Sequence, residues 1–161
     1  MADVFIGIGS SINRQENIRL GINALQTEFG RLTISPIYES EAVGFEGGNF
    51  YNLVVRFESN LNAQAIIKKL KKIEIQQGRP IKALKFAPRT LDLDLLLHDQ
   101  LIDSEIDLPR AEILTNAFVL QPLSEIAPQF KHPIVKKSYQ HLWEEFPKSK
   151  QKLWQIDAII T

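Results

Sequence analysis

The stretch KALKFAPRTLDLDLLL at residues 82–97 concentrates the residue types that can do chemistry. Asp92 and Asp94 stand two residues apart inside an alternating run of Leu91, Leu93 and Leu95. Strand side chains take opposite faces in turn, so Thr90, Asp92 and Asp94 share one face and the three leucines point into a core. Two carboxylates about 7 Å apart on one pleat repel by roughly 2–3 kcal/mol at an effective dielectric of about 20. A compensating cation is therefore expected. Magnesium suits the donors: it takes hard oxygen ligands, commonly one or two carboxylates plus substrate phosphates. Arg79, Lys82, Lys85 and Arg89 stand just upstream, and no acidic residue occurs from position 75 to 91. A carboxylate pair behind a basic loop is what phosphate transfer needs. An Asp-x-Asp pair also occurs on solvated sheet faces that hold no metal. The charge segregation favours a local anion site, because the 19 Lys+Arg and 19 Asp+Glu of the chain otherwise cancel.

The elements that must position these groups are read from periodicity. Residues 4–8 form a buried strand ending in Gly9-Ser10-Ser11. A helix follows with Asn13 as N-cap, Glu16 three residues on, an apolar stripe of Ile18, Ile22, Leu25 and Phe29, and Gly30 as stop. A strand around 32–39 is interrupted by Pro36, which predicts an edge position or a bulge. Gly44-Phe45-Glu46-Gly47-Gly48-Asn49 reads as a loop. After it, Tyr51, Leu53, Val55 and Phe57 alternate with Phe50, Asn52, Val54 and Arg56, a strand pattern. The second helix spans about 62–77, with Ile66, Leu70 and Ile73 inward; Lys68, Lys69, Lys71 and Lys72 give it a solvated basic side. The order is β-α-β-β-α-β, an α+β class of the ferredoxin-like type with a mostly antiparallel sheet. A hairpin at 101–108, a helix around 110–123 and a tail with Trp143 and Trp154 complete it. Both the 44–49 and 79–89 segments are expected to be mobile without ligand and to close over substrates, one for its glycines and the other for its like charges.

Composition narrows the class. At 161 residues and 44% hydrophobic content the chain is expected to be a single domain over 1–161, burying roughly 70% of its unfolded surface. It has no cysteine, which removes disulfides and thiol nucleophiles and suits a cytoplasmic location. The first residues lack a signal-peptide pattern, and no segment approaches the ~20 apolar residues of a membrane span.

Ala87-Pro88-Arg89-Thr90-Leu91-Asp92-Leu93-Asp94-Leu95-Leu96 resembles the signature of the 6-hydroxymethyl-7,8-dihydropterin pyrophosphokinase family of folate biosynthesis. Gly9-Ser10, Tyr38-Glu39-Ser40, Phe50-Tyr51-Asn52, Ile73-Glu74-Ile75-Gln76-Gln77-Gly78-Arg79 and the run from Phe118 to Pro128 agree in order and spacing. The likeness covers roughly residues 4 to 145. It implies transfer of pyrophosphate from ATP to the pterin hydroxymethyl group, with release of AMP and two magnesium ions on Asp92 and Asp94. It further implies that Arg79, Lys82 and Arg89 supply positive charge in catalysis. Glu74, Lys82, Arg89, Leu95 and Arg110 would meet ATP. Ser40, Val43, Phe50, Asn52 and Phe118 would meet the pterin, the two phenylalanines stacking and Asn52 reading the ring edge. Alternation alone allows Phe50 and Asn52 on one face, although a phenylalanine is also an ordinary core residue. No side-chain nucleophile is needed, since the pterin hydroxyl attacks; His98, His132 and His141 lie outside the motifs. The partners would be ATP and pterin, without nucleic acid or membrane, acting on a monomer.

Several positions depart from the family's usual residues. Ser11 replaces Asn, Glu41 and Ala42 stand where proline is usual, and Phe86-Ala87 replaces Trp-Gly. Arg110 takes the place of a histidine and Asn116 that of an arginine facing the nucleotide. These departures leave room for a divergent paralogue that binds pterin or nucleotide with little transfer. A ferredoxin-like nucleic-acid module is opposed by zero net charge and by the lack of paired exposed aromatics on the central strands.

Overall fold

The computed structural model describes residues 1–40, 49–77, 91–148 and 151–156. Val43, Arg79, Lys82 and Arg89, and the two segments expected to be mobile (apart from Asn49), lie outside the described residues. Strand β1 (Ala2–Ser10) runs into helix α1 (Arg14–Phe29), then short strands β2 (Thr33–Ile34) and β3 (Ile37–Ser40). Strand β4 (Phe50–Ser59), helix α2 (Ala63–Gln76) and strand β5 (Asp92–His98) follow. Helices α3 (Glu112–Thr115), α4 (Ala117–Ile126) and α5 (Tyr139–Glu145) and strand β6 (Leu153–Ile156) complete the described elements. The sheet order is β5-β1-β4-β3-β6, with β2 also on β4, and its pairings are antiparallel. The α+β, ferredoxin-like expectation holds.

The sheet separates two apolar clusters. On one face Val4, Ile6, Ile8, Leu53, Val55, Phe57, Leu91, Leu93 and Leu95 meet α1 and α2 through Ile18, Ile22, Leu25, Ile66, Leu70 and Ile73. On the other, Phe5, Val54, Leu96 and Leu97 meet α4 and α5 through Val119, Leu120, Leu123 and Tyr139. The alternation of β5 therefore places its leucines as expected, up to residue 95. There the β1–β5 ladder slips: Ile6 faces Leu95 but Phe5 faces Leu97. Leu96 is the extra residue of a β-bulge, whose two residues share a face, and both Leu96 and Leu97 join the second cluster.

The open edge of β5 is covered locally. Glu74, 8% exposed, accepts the Leu93 amide at 2.8 Å, and the Arg110 amide donates to the Leu96 carbonyl at 3.0 Å. Such coverage stops an edge from templating another strand.

Local expectations fare unevenly. Gly30 stops α1 as expected, with φ 89°, a conformation that favours glycine; Asn62, which the sequence does not single out, caps α2 by accepting the Ala65 amide. Asn13 does not cap α1 with its side chain; it is left-handed at φ 41°. Ser10 Oγ and Asn17 Nδ2 both donate to the Ile12 carbonyl, and the turn they hold uses asparagine's tolerance of that backbone. The strand around Pro36 is two strands, β2 and β3. The 101–108 hairpin is a single Asp103–Leu108 bridge around a short 3-10 turn capped by Asp103. The 110–123 helix is divided at Asn116, which is extended. Strand β6 was not foreseen.

Candidate active site

The register lines up functional side chains in rows across the second face. Gly9 of β1 lies between Asp92 of β5 and Asn52 of β4, and Asn52 faces Tyr38 of β3. One step along, Gly7 lies between Asp94 and Val54. At about 4.8 Å per strand, the acidic pair and the Asn52 amide stand about 10 Å apart across a trough without side chains. The trough is needed: a Cβ on Gly9 would come within 2.8 Å of Asn52 Oδ1.

Helices α3 and α4 wall this trough into a cleft of about 320 Å³. Ser40, Phe50, Asn52, Asp92, Asp94 and Phe118 line it, so four of the five expected pterin contacts and both expected metal ligands meet in one place. Asn52 Nδ2 donates to Ser40 Oγ at 3.4 Å. The fifth pterin contact, Val43, lies outside the described residues.

Arg110 stands beside the acidic pair. Its guanidinium lies 3.5 Å from Asp94, 3.8 Å from Asp107 and 3.0 Å from Glu112. Burial opposes its charge, but Asp94, Glu112 and Asp107 outweigh that and hold its pKa above the ordinary value. Its Nε is buried without a hydrogen-bond partner among the described residues. The other two described positions expected at ATP are placed differently. The Leu95 side chain is in the first cluster, on the face away from the cleft, which leaves only its main chain for a ligand. Glu74 is engaged with the Leu93 amide at the edge of β5.

Comparison with known proteins gives the family. A family model described as 7,8-dihydro-6-hydroxymethylpterin-pyrophosphokinase (HPPK) matches residues 5–128. The chain belongs to this family. A 2-amino-4-hydroxy-6-hydroxymethyldihydropteridine pyrophosphokinase of Aquifex aeolicus is 37% identical over 141 residues, covering 85% of this chain and 88% of that one. The enzyme of the same name from Pseudomonas aeruginosa is 34% identical over 136 residues, covering 81% and 83%. Among solved structures, wild-type HPPK-DHPS of Plasmodium falciparum with pterin and p-hydroxybenzoate superposes with a TM-score of 0.73 at 12% identity. That likeness covers 89% of this chain but 43% of the other, and it concerns the fold.

For an HPPK-family chain, sequence reasoning overlooked several cleft residues. Gly7, Leu96 and Glu112 line the cleft, as does Gly9, which in the sequence reads only as part of a turn. Two glycines at alternate positions of a buried strand are a readable signal of a close approach. Glu112 had no such signal, because its role depends on the fold bringing Arg110 to Asp94.

Proposed function

We propose that this chain transfers pyrophosphate from ATP to the hydroxymethyl group of 6-hydroxymethyl-7,8-dihydropterin, releasing AMP; relatives named pyrophosphokinases of this dihydropteridine support the reading. The observation that carries this reading is the row Asp92–Gly9–Asn52: a carboxylate and an amide face one another across a bare trough in a cleft that Phe50 and Phe118 also line. A flat heterocycle needs aromatic faces and a mixed donor–acceptor partner, which Phe50, Phe118 and Asn52 offer. A polyphosphate needs positive charge, which Arg110 offers beside Asp94.

Asp92 and Asp94 would hold magnesium, two ions in this reading. The fit rests on the donor set: two half-exposed carboxylates on the cleft face, hard oxygens without thiolate or imidazole among the cleft-lining residues. Bound there, the ions would offset charge on the phosphates. The protein supplies no nucleophile. The pterin hydroxyl oxygen bonds to the β-phosphorus as that atom's bond to the bridging α–β oxygen breaks; AMP departs with the electron pair and the hydroxyl proton is lost. Holding the two substrates in line is the main contribution of Phe50, Phe118 and Asn52. Arg79, Lys82 and Arg89 would add charge, as Arg110 does, and Val43 would complete the pterin pocket. Glu74 and the main chain of Leu95 would meet the nucleotide. This reading takes the chain as a monomer and as one functional unit over 1–161. No described helix is long and apolar enough to cross a membrane, in keeping with a cytoplasmic enzyme.

The test is direct. Purified protein with ATP, magnesium and 6-hydroxymethyl-7,8-dihydropterin should form AMP and pterin diphosphate. Formation of ADP, or no pterin-dependent turnover, would refute the reading.

A further inference from the structure

The segment 151–156 lies beyond the part of the chain that matches the family model, 5–128, yet it grips both walls of the cleft. At one end, Gln151 spans the break between α3 and α4. Its Oε1 accepts the Ala117 amide at 2.7 Å and its Nε2 donates to the Thr115 carbonyl at 2.7 Å. The first amides of a helix have no internal partner, and Asn116, at the N-cap of α4, makes no side-chain cap. Gln151 takes that role from 34 residues away. The residues it holds in place bracket Asn116 and lead into Phe118, both in the cleft wall.

At the other end, β6 pairs with β3, Leu153 facing Ser40 and Trp154 facing Glu39. The Trp154 indole donates to Glu39 Oε1 at 3.0 Å. Glu39 Oε2 also receives Arg14 at 2.9 Å and Asn49 Nδ2 at 3.2 Å, and Arg14 donates to the Asn49 carbonyl at 3.0 Å. Burial raises the Glu39 pKa, but these donors outweigh it and hold the carboxyl below its usual range. One ionised carboxylate thus ties β6 to α1 and to Asn49, whose neighbour Phe50 lines the cleft. Ser40, the residue after Glu39, lines it as well.

We infer that residues 151–156 are a strap that sets the spacing of the Ser40–Phe50 wall and the Asn116–Phe118 wall, with Gln151 and Trp154 as positioning residues for the pterin. The inference rests on reading the cleft as a pterin site. A planar ring held between two aromatic faces is sensitive to their separation, since dispersion falls steeply with a gap of less than 1 Å. Small displacements at either end of the strap therefore weaken pterin binding without touching the ligand.

The full-length chain carrying Gln151→Ala, Gln151→Glu or Trp154→Phe would be assayed for AMP release against pterin concentration at saturating ATP, with Tm measured in parallel. Trp154→Phe keeps an aromatic ring but removes the pyrrole part of the indole with its N–H, so it breaks the bond to Glu39 and tests the strap even if Gln151→Ala folds poorly. Gln151→Ala and Trp154→Phe should each raise the pterin KM threefold or more while kcat changes less than twofold. Gln151→Glu keeps the acceptor for Ala117 but loses the donor to the Thr115 carbonyl, so it should recover only part of the loss. An unchanged pterin KM with a lowered Tm would overturn the inference and leave the segment a stabiliser only. Amide exchange of the unmodified protein gives a second measure: pterin should slow exchange at Ala117, because coupling between two sites is reciprocal, and unchanged exchange there would also overturn it. An unmodified chain that binds pterin but releases no AMP would count against the pyrophosphokinase reading, and the exchange result at Ala117 would still decide the strap.

Discussion

The guanidinium of Arg110 lies 3.5 Å from the carboxylate of Asp94, although family resemblance assigns one to the nucleotide and the other to a metal. Their side chains are 26% and 39% exposed, and a pair this wet contributes about 0–1 kcal/mol to stability. Its consequence is electrostatic: a fixed positive charge beside the acidic pair before any substrate arrives. The two expected roles are compatible if phosphate oxygens meet Arg110 while Asp94 turns to the metal.

Substituting the acidic pair separates binding from transfer. Asp92→Asn and Asp94→Asn keep size and hydrogen bonding but lose the charge that would hold magnesium. Each should abolish most AMP release while pterin affinity, followed by fluorescence titration, falls far less. A variant turning over near the unmodified rate would remove that residue from the metal site.

Asn116→Arg should raise turnover or ATP affinity. Asn116 lines the cleft and makes no side-chain cap for α4, so little local structure is lost. A guanidinium–phosphate contact is worth about 1.5–3 kcal/mol, roughly tenfold to a hundredfold. Unchanged kinetics would mean that Arg110 already fills the need. By the same logic Arg89→Ala should lower the rate severely, measured as kcat/KM for ATP.

Gly9→Ala should weaken pterin binding by about tenfold, because the new methyl displaces the Asn52 amide, 2.8 Å from it. Gly7→Ala meets only Leu96 atoms at 3.4 Å or more, an ordinary contact, and should leave Tm within a few degrees. Calorimetric titration with pterin and a thermal melt of both variants would check the contrast.

Stability should carry a histidine signature. His132 is buried, and its Nδ1 accepts the amides of Ile134 at 3.1 Å and Val135 at 3.3 Å. Burial pushes its pKa below the usual 6.5. Between the folded and unfolded values the unfolded chain binds more protons, so stability rises with pH there. The contribution is complete above pH 6.5 and is lost as pH falls through the folded value. Urea unfolding between pH 7.5 and 5.5 should show that slope, and His132→Asn, which keeps an acceptor without the titration, should flatten it.

Much of the site was legible because strands expose their logic at period two. Asp92 and Asp94 opposite Leu91, Leu93 and Leu95, and Phe50 beside Asn52, follow from alternation alone. The Gly30 stop of α1 is equally local. What escaped depends on distant partners. Residues 110–123 look like one helix until Gln151 takes the Ala117 amide, and LWQI becomes a strand only because β3 offers an edge. Asn13 misled because asparagine serves caps and left-handed turns alike, and Ser10 and Asn17 select the latter. The glycine trough needed two neighbouring strands before its emptiness had meaning.

The bulge at Leu96 has an evolutionary reach. Because Leu95 and Leu97 already pair with the consecutive residues Ile6 and Phe5, Leu96 is an insertion that leaves the phase of Asp92 and Asp94 intact. Its side chain nonetheless forms part of the cleft. The depth of the pocket can therefore be edited at this one position, by size or even by excision, while the carboxylates keep their face. Substrate fit and phosphate chemistry, though written on a single strand, are free to drift separately.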